Sequence, residues 1–195
     1  MYFDSVSRAT LFEALFSIDS DLADACRFLR CPRCGGPLHD AHYERKPRGG
    51  PAGIPEHCSR RLGLCCGRDG CRHRVLPPSC LFLGRKVYWA AIVLVVVAAR
   101  QRRAGSVSAS ALRRTFGVSW ETVKRWMSFF AEVFPRAEPW RLRRGLVPAT
   151  VRNDELPAAL LELFVEREGG DGIVGLRSCL EFLVADPLGS GEHAR

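Results

Sequence analysis

Cys31-Pro32-Arg33-Cys34-Gly35-Gly36, answered further on by Leu64-Cys65-Cys66-Gly67-Arg68-Asp69-Gly70-Cys71, is the stretch that decides how this chain folds. Two cysteines separated by two residues and followed by two glycines make a tight turn that aims both sulfurs at one point. A structural zinc ion needs four such ligands, with thiolates at about 2.3 Å. The first pair supplies two, and the second box must supply the others. Leu62, Leu64 and Cys66 alternate, so on a strand they share a face while Cys65 points the other way. Cys66 and Cys71 are therefore the expected second pair, with Gly67 and Gly70 providing the bend. Their gap is four residues where two is usual. Cys65, Cys58 or one of His39, His42 and His57 remain alternatives for one position.

Nine cysteines in a chain of 195 residues would suggest disulfides in a secreted protein. The start, Met1-Tyr2-Phe3-Asp4, has neither a basic opening nor an apolar run, so no signal peptide is expected. In a reducing cytoplasm, clustered cysteines serve as metal ligands. The expected location is accordingly the bacterial cytosol or nucleoid. Cys26, Cys80 and Cys179 sit in apolar surroundings and read as small core residues.

Charge is uneven. Residues 30–80 hold ten basic and four acidic side chains, and residues 81–145 hold thirteen against three. The two ends reverse this, with two basic against five acidic over 1–29 and four against nine over 146–195. The formal net charge of +8 thus hides a middle carrying +16. Concentrated positive charge is the footprint of a polyanion binder.

Four segments follow from the pattern. Residues 1–29 form an acidic helical arm of two short helices, Ser7 to Phe16 and Asp21 to Leu29, with Asp19 or Ser20 capping the second. Residues 30–80 form the β zinc ribbon, including a basic Gly/Pro-rich loop at 45–53 that either reaches a phosphate backbone or stands solvated. His73 reads as a surface or phosphate-facing side chain.

Residues 81–145 open, after Gly84-Arg85-Lys86, on the apolar run Val87 to Ala99. Thirteen residues make a helix of about 20 Å, short of the ~30 Å hydrocarbon core of a bilayer, so the run is a buried helix. Arg100, Arg102 and Arg103 suit its C-terminus. Ser108 then caps a helix with Leu112 and Phe116, Gly117 ends it, and Ser119 caps another with Val123, Trp126, Phe129 and Phe130 inward. Apolar residues five and one before Gly117, and one, six and nine after it, make the helix-turn-helix pattern. Arg113 departs from it, standing where a small residue is usual. The outward face of the second helix, Trp120, Glu121, Thr122, Lys124 and Arg125, is the candidate reader of double-stranded DNA. Arg72 and Arg74 at the ribbon end and Arg143 and Arg144 after Trp140 are candidate backbone contacts, with Trp140 itself a core anchor.

Residues 146–195 read as a helical pair, Leu156 to Arg167 and Gly175 to Ala185, ending in a frayed Leu188 to Arg195. The fold class is mainly α with a small β zinc ribbon, followed by a helix-turn-helix bundle and C-terminal helices.

The order of a CPxCGG ribbon, a basic strand end, a buried helix and a helix-turn-helix resembles the DNA-binding front end of zinc-ribbon insertion-sequence transposases and their small accessory proteins. The resemblance spans roughly Cys31 to Phe134. It implies zinc on Cys31, Cys34, Cys66 and Cys71, DNA on the Trp120–Arg125 face, and a transposase or recombinase as partner. Such transposases continue into a catalytic domain with three metal-binding carboxylates, and no such domain is expected here. Asp154-Glu155 and Glu166-Arg167-Glu168 look like helix-end charge. No HExxH, P-loop, nucleophile elbow or paired-carboxylate motif appears. The expectation is a non-catalytic, zinc-stabilised DNA-binding protein; the rival is a protein-interaction module whose ribbon is purely structural. A nuclease using the cluster and nearby histidines is a third, weaker reading.

Overall fold

A long amphipathic helix begins the described part of the chain. The computed structural model describes residues 6, 8–83, 87–102 and 108–184. The expectations for Met1–Asp4, Gly84–Lys86, Arg103 and Leu188–Arg195 fall outside them. Helix α1 runs Ala9–Phe28 and buries Leu11, Phe12 and Leu15. The expected break at Asp19 is not there. Asp19 is a mid-helix residue only 2% exposed. Its carboxylate accepts from the Ser79 hydroxyl and, at 2.5 Å, from the Cys80 N–H. With its acceptor oxygens taken by another segment, the side chain has no call on its own backbone. Ser20 likewise donates back to the Phe16 carbonyl at 3.0 Å instead of capping.

Short strands follow. β1 (Leu38–Asp40), β4 (Leu64–Cys66) and β5 (Arg74–Val75) form an antiparallel sheet in the order β1-β4-β5. The pairs Leu38↔Cys66 and Leu64↔Val75 set its register. β2 (Tyr43–Glu44) and β3 (Arg60–Arg61) pair separately. The loop at 45–53 is tied to the helical body. The Arg48 N–H donates to Val87 O at 2.8 Å, and the Arg45 guanidinium lies 4.9 Å above the Phe82 ring.

Helix α2, Ala90–Gln101, is the core. Every residue from Ala90 to Ala98 is at most 2% exposed. Fully burying a valine or leucine is worth about 1.5–3 kcal/mol, so an all-round apolar helix is stable only where neighbours enclose it. Here they do: residues of α1 and of the later helices share one buried cluster with it. Cys58, Cys80 and Cys179 lie in that cluster, whereas Cys26 is half-buried beside the thiol-bearing sheet.

Helices α3 (Ala109–Phe116) and α4 (Trp120–Ser128) flank a left-handed Gly117, φ 61°. The Ser108 side chain accepts from the Ala111 N–H, and that of Ser119 from the Thr122 N–H. One π-turn, Phe129–Val133, continues α4, and α5 (Glu138–Arg143) leads away. Trp140 is an anchor, 2% exposed, with its indole N–H on Asn153 Oδ1 at 3.0 Å.

Helices α6 (Ala158–Arg167) and α7 (Gly172–Val184) bury Leu160, Leu161, Leu176 and Leu180 in the same core. α7 starts earlier than Gly175 because the Asp171 carboxylate accepts from the Ile173 and Val174 N–H groups, at 2.8 and 3.0 Å. The acidic end of the chain folds back onto the basic middle. Arg102 pairs with Glu162 at 2.5 Å and with Glu155 at 3.2 Å, and the Gln101 amide donates to Leu156 O at 2.6 Å. The chain is thus mainly helical with a small antiparallel sheet. No helix among the described residues is long and apolar enough to cross a membrane.

Candidate metal centre and helical face

Four thiols converge where the sheet meets the end of α1. Cys31, Cys34, Cys66 and Cys71 place their sulfurs within 4.8 Å of one another. The Cys31–Cys71 separation is 3.8 Å and the Cys34–Cys66 separation 3.5 Å. A tetrahedron of thiolates at ~2.3 Å from a metal has edges of about 3.8 Å, so this cage is the right size for one ion.

Local backbone geometry explains the convergence. In the first turn the Gly35 N–H donates to Cys31 O at 2.8 Å and the Cys31 N–H to Gly36 O at 2.9 Å. That curls the segment until both sulfurs face one side. Gly36 is there for room: a Cβ on it would sit 3.0 Å from Cys66 Sγ and 3.3 Å from Cys34 Sγ. In the second box, β4 carries Cys66 inward. The Cys71 N–H on Arg68 O, 3.1 Å, turns the chain so that Cys71 returns to the cluster. Cys65 points away, its thiol 3.6 Å from Arg72 O.

The thiols are electrostatically frustrated as they stand. The Gly36 N–H and then the Cys71 thiol pull Cys34 down to about 6. At Cys66 the Arg68 N–H favours the thiolate, but burial and the sulfurs of Cys34, Cys31 and Cys71 outweigh it and push the group up to about 12. Four adjacent sulfurs cannot all ionise without a compensating charge, which a divalent cation supplies. A metal ion fits this site.

The three histidines weighed as alternative ligands lie outside the cluster. His42 Nδ1 is 3.1 Å from Gly63 O, His57 packs edge-on to Phe16 at 4.9 Å, and His39 lies over Gly67. Cys58 is wholly buried in the helical core, where burial pushes its thiol up to about 11.

The second group of expected residues is arranged about Gly117. Leu112, Phe116, Val118, Val123 and Trp126 are each at most 5% exposed. Glu121, Lys124 and Arg125 stand exposed on the far side of α4. Lys124 pairs with Glu121 at 2.7 Å. Thr122 is half-buried, its hydroxyl 3.0 Å from Ser119 Oγ. Trp120 is half-buried against the core, with the Arg100 guanidinium 4.8 Å over its ring. Arg113, the departure from the usual small residue, points to solvent together with Arg114.

Arg72 and Arg74 are exposed beside the cluster. Arg143 is not a surface cation: it is 5% exposed and donates to Pro139 O at 3.0 Å. Arg144 is half-buried, donating to Val147 O at 3.1 Å. Arg143 turns back onto a carbonyl in the first turn of α5, and Arg144 reaches carbonyls just past the turn that ends the helix. The exposed cations of this segment are Arg136 and Arg141, which line a surface hollow with Glu138 and Leu142. Sequence reasoning also passed over a buried polar group formed by Asp19, Ser79 and Arg61, the last 8% exposed. Arg61 sits on a strand and Asp19 on a helix, and no spacing connects them. No protein-family model matches the chain, and no curated protein or solved structure matches it.

Proposed function

We propose that this chain is a non-catalytic, zinc-stabilised protein that binds double-stranded DNA, an accessory or regulator of a mobile element. The observation that carries the reading is the two-faced α4. Its apolar residues are sunk with those of α3 around Gly117, while Glu121, Lys124 and Arg125 stand exposed on its outer face. A capped helix held this way, with its polar side outward, has the shape of an element that enters a major groove. The charge distribution agrees, since the cations of the middle segments outnumber the acids there. Exposed Arg113 and Arg114 on α3, Arg136 in the turn before α5 and Arg141 on α5 are further candidates for phosphate contact.

Zinc is the ion of choice for the thiol cage. An all-thiolate, tetrahedral set selects a soft or borderline metal, and four protein ligands close the coordination sphere. A closed sphere leaves no position for substrate, which argues for a structural role. The ion would tie the end of α1 to the sheet, joining residues far apart in sequence.

Anisotropy titration of a labelled duplex against the metal-loaded protein tests this. Affinity should fall steeply with salt, by a log–log slope of about 0.9 per phosphate contacted. The K124A/R125A double variant should bind at least tenfold more weakly, with a shallower slope. Binding equal to the parent removes α4 from the interface.

A further inference from the structure

The end of α1 carries an exposed aromatic residue that nothing in the fold requires. Among the described residues, Phe28 is the most exposed large hydrophobic, at 87%, and its neighbour Leu29 is 71% exposed. They stand immediately before the first cluster cysteine. Phe28 is three residues from Cys31, Arg33 lies between the first two ligands, and Arg68 is two residues beyond Cys66. At 3.8 Å per residue, the thiol cage therefore holds all of them in one neighbourhood. Arg68 is steered across the turn by its bond to Cys34 O, 3.0 Å.

Two further features mark the patch. Arg30 and Arg72 flank the first and last cluster cysteines, and both adopt positive φ, 62° and 46°. Glycine would occupy such positions more cheaply, so the chain holds two exposed guanidiniums beside the cage at a backbone cost. Beside Phe28 lies a surface hollow of about 280 Å³ lined by Asp24, Arg27 and Phe28. Arg27 is clamped there between Asp24, 2.5 Å, and Asp40. The hollow thus offers an aromatic face, a carboxylate acceptor and guanidinium donors together, while the bare cations lie on the cysteine side.

We infer that this patch is a binding site for unpaired DNA: one base stacks on Phe28 with its edge toward Asp24 and Arg27, and the flanking phosphates run over Arg30, Arg33 and Arg68. The size decides against a protein partner. Two apolar side chains ringed by cations are far below the ~800 Å² a side of a stable protein interface, but they match the one or two bases that an aromatic platform holds. A carboxylate beside a guanidinium offers an acceptor and donors together, which suits a base edge that presents donors and an acceptor, as guanine's pairing edge does. The negative charge around Arg27 keeps the backbone off that side and orients the strand. This inference rests on the DNA-binding reading above and extends it to DNA that is partly open.

The test uses the metal-loaded full chain and three labelled probes: a blunt duplex, the same duplex with a single-stranded extension of about six nucleotides, and the single strand alone. The parent should bind the extended duplex about tenfold more tightly than the blunt one. Phe28→Ala should abolish that gain and leave blunt-duplex binding and metal content unchanged, because the ring is outside the core. Arg33→Ala/Arg68→Ala should reduce the gain and the salt slope. Equal binding of blunt and extended duplexes by the parent overturns the inference, as does a Phe28→Ala variant that keeps the gain. So does a Phe28→Ala variant that changes only the oligomeric state in sedimentation, which would assign the patch to a second copy. Phe28-dependent binding of single strand without any duplex binding upholds this site and overturns the α4 reading instead.

Discussion

Gly36→Ala is the substitution that most sharply separates a metal cage from a mere cluster of core cysteines. The added methyl would lie 3.0 Å from Cys66 Sγ, 3.1 Å from Arg68 Cβ and 3.3 Å from Cys34 Sγ. Gly36 is not among the residues with positive φ, so alanine meets no backbone penalty there and the cost is steric. Relief requires two sulfurs to move apart along the 3.5 Å Cys34–Cys66 edge, or the Arg68 stem to shift. Overpacking of this kind costs about 1–3 kcal/mol. If the cage is a ligand set, that cost falls on the metal-bound state, where thiolates are held at ~2.3 Å from the ion and cannot give way. Each 1.4 kcal/mol is a factor of ten, so zinc affinity should drop on the order of tenfold to a hundredfold. Competition against a zinc chelator reads this directly, with urea melts run with and without zinc. Cys65→Ser, adjacent to the cage but facing away, should leave affinity at the parental value. A Gly36→Ala protein that binds zinc like the parent, or loses the same stability in both melts, refutes the reasoning.

Cys66→Ser should abolish stoichiometric zinc and loosen the sheet, whereas Cys179→Ala, on the buried side of α7, should keep one zinc per chain by elemental analysis. Asp19 should make stability pH-dependent. Burial raises its carboxyl to about 6 against the bonds from Ser79 and Cys80 and the charge of Arg61, so the folded state holds a proton that the unfolded chain, near 3.8, releases. Stability is then fully present below the lower value and declines as pH rises through about 6, by about 3 kcal/mol. Asp19→Asn removes that dependence: the gap between parent and variant in urea melts should change by this amount between acid and neutral pH. Parallel curves would rule it out.

How far the chain could be read in advance depended on whether a residue's partner was close in sequence. Cys31 and Cys34 are fixed by their own turn, and Cys66 by strand alternation, so the cage was legible from spacing. The five apolar residues about Gly117 are legible for the same reason, because a capped corner sets their burial locally. Asp19 looked like a cap because capping is the local use of a carboxylate, and the actual donors, Ser79 and Cys80, are far along the chain. Arg143 and Arg144 looked like surface cations because composition says nothing of which nearby carbonyls a guanidinium folds back onto. The C-terminal helical pair α6 and α7 was legible from local pattern, but that it packs into one core with α2, with Glu162 and Glu155 clasping Arg102, is a property of packing alone.

Lysine footprinting reaches the central proposal most directly. The chain has three lysines, and one of them, Lys124, stands on the outer face of α4 with its side chain 51% exposed. Acetylation of the metal-loaded protein is followed by mass spectrometry with and without saturating duplex, with anisotropy verifying that the duplex is bound. With α4 in the groove, labelling of Lys124 should slow by about tenfold or more in the complex, the signature of a side chain removed from solvent. Unchanged labelling of Lys124 in protein fully bound to duplex would contradict the account.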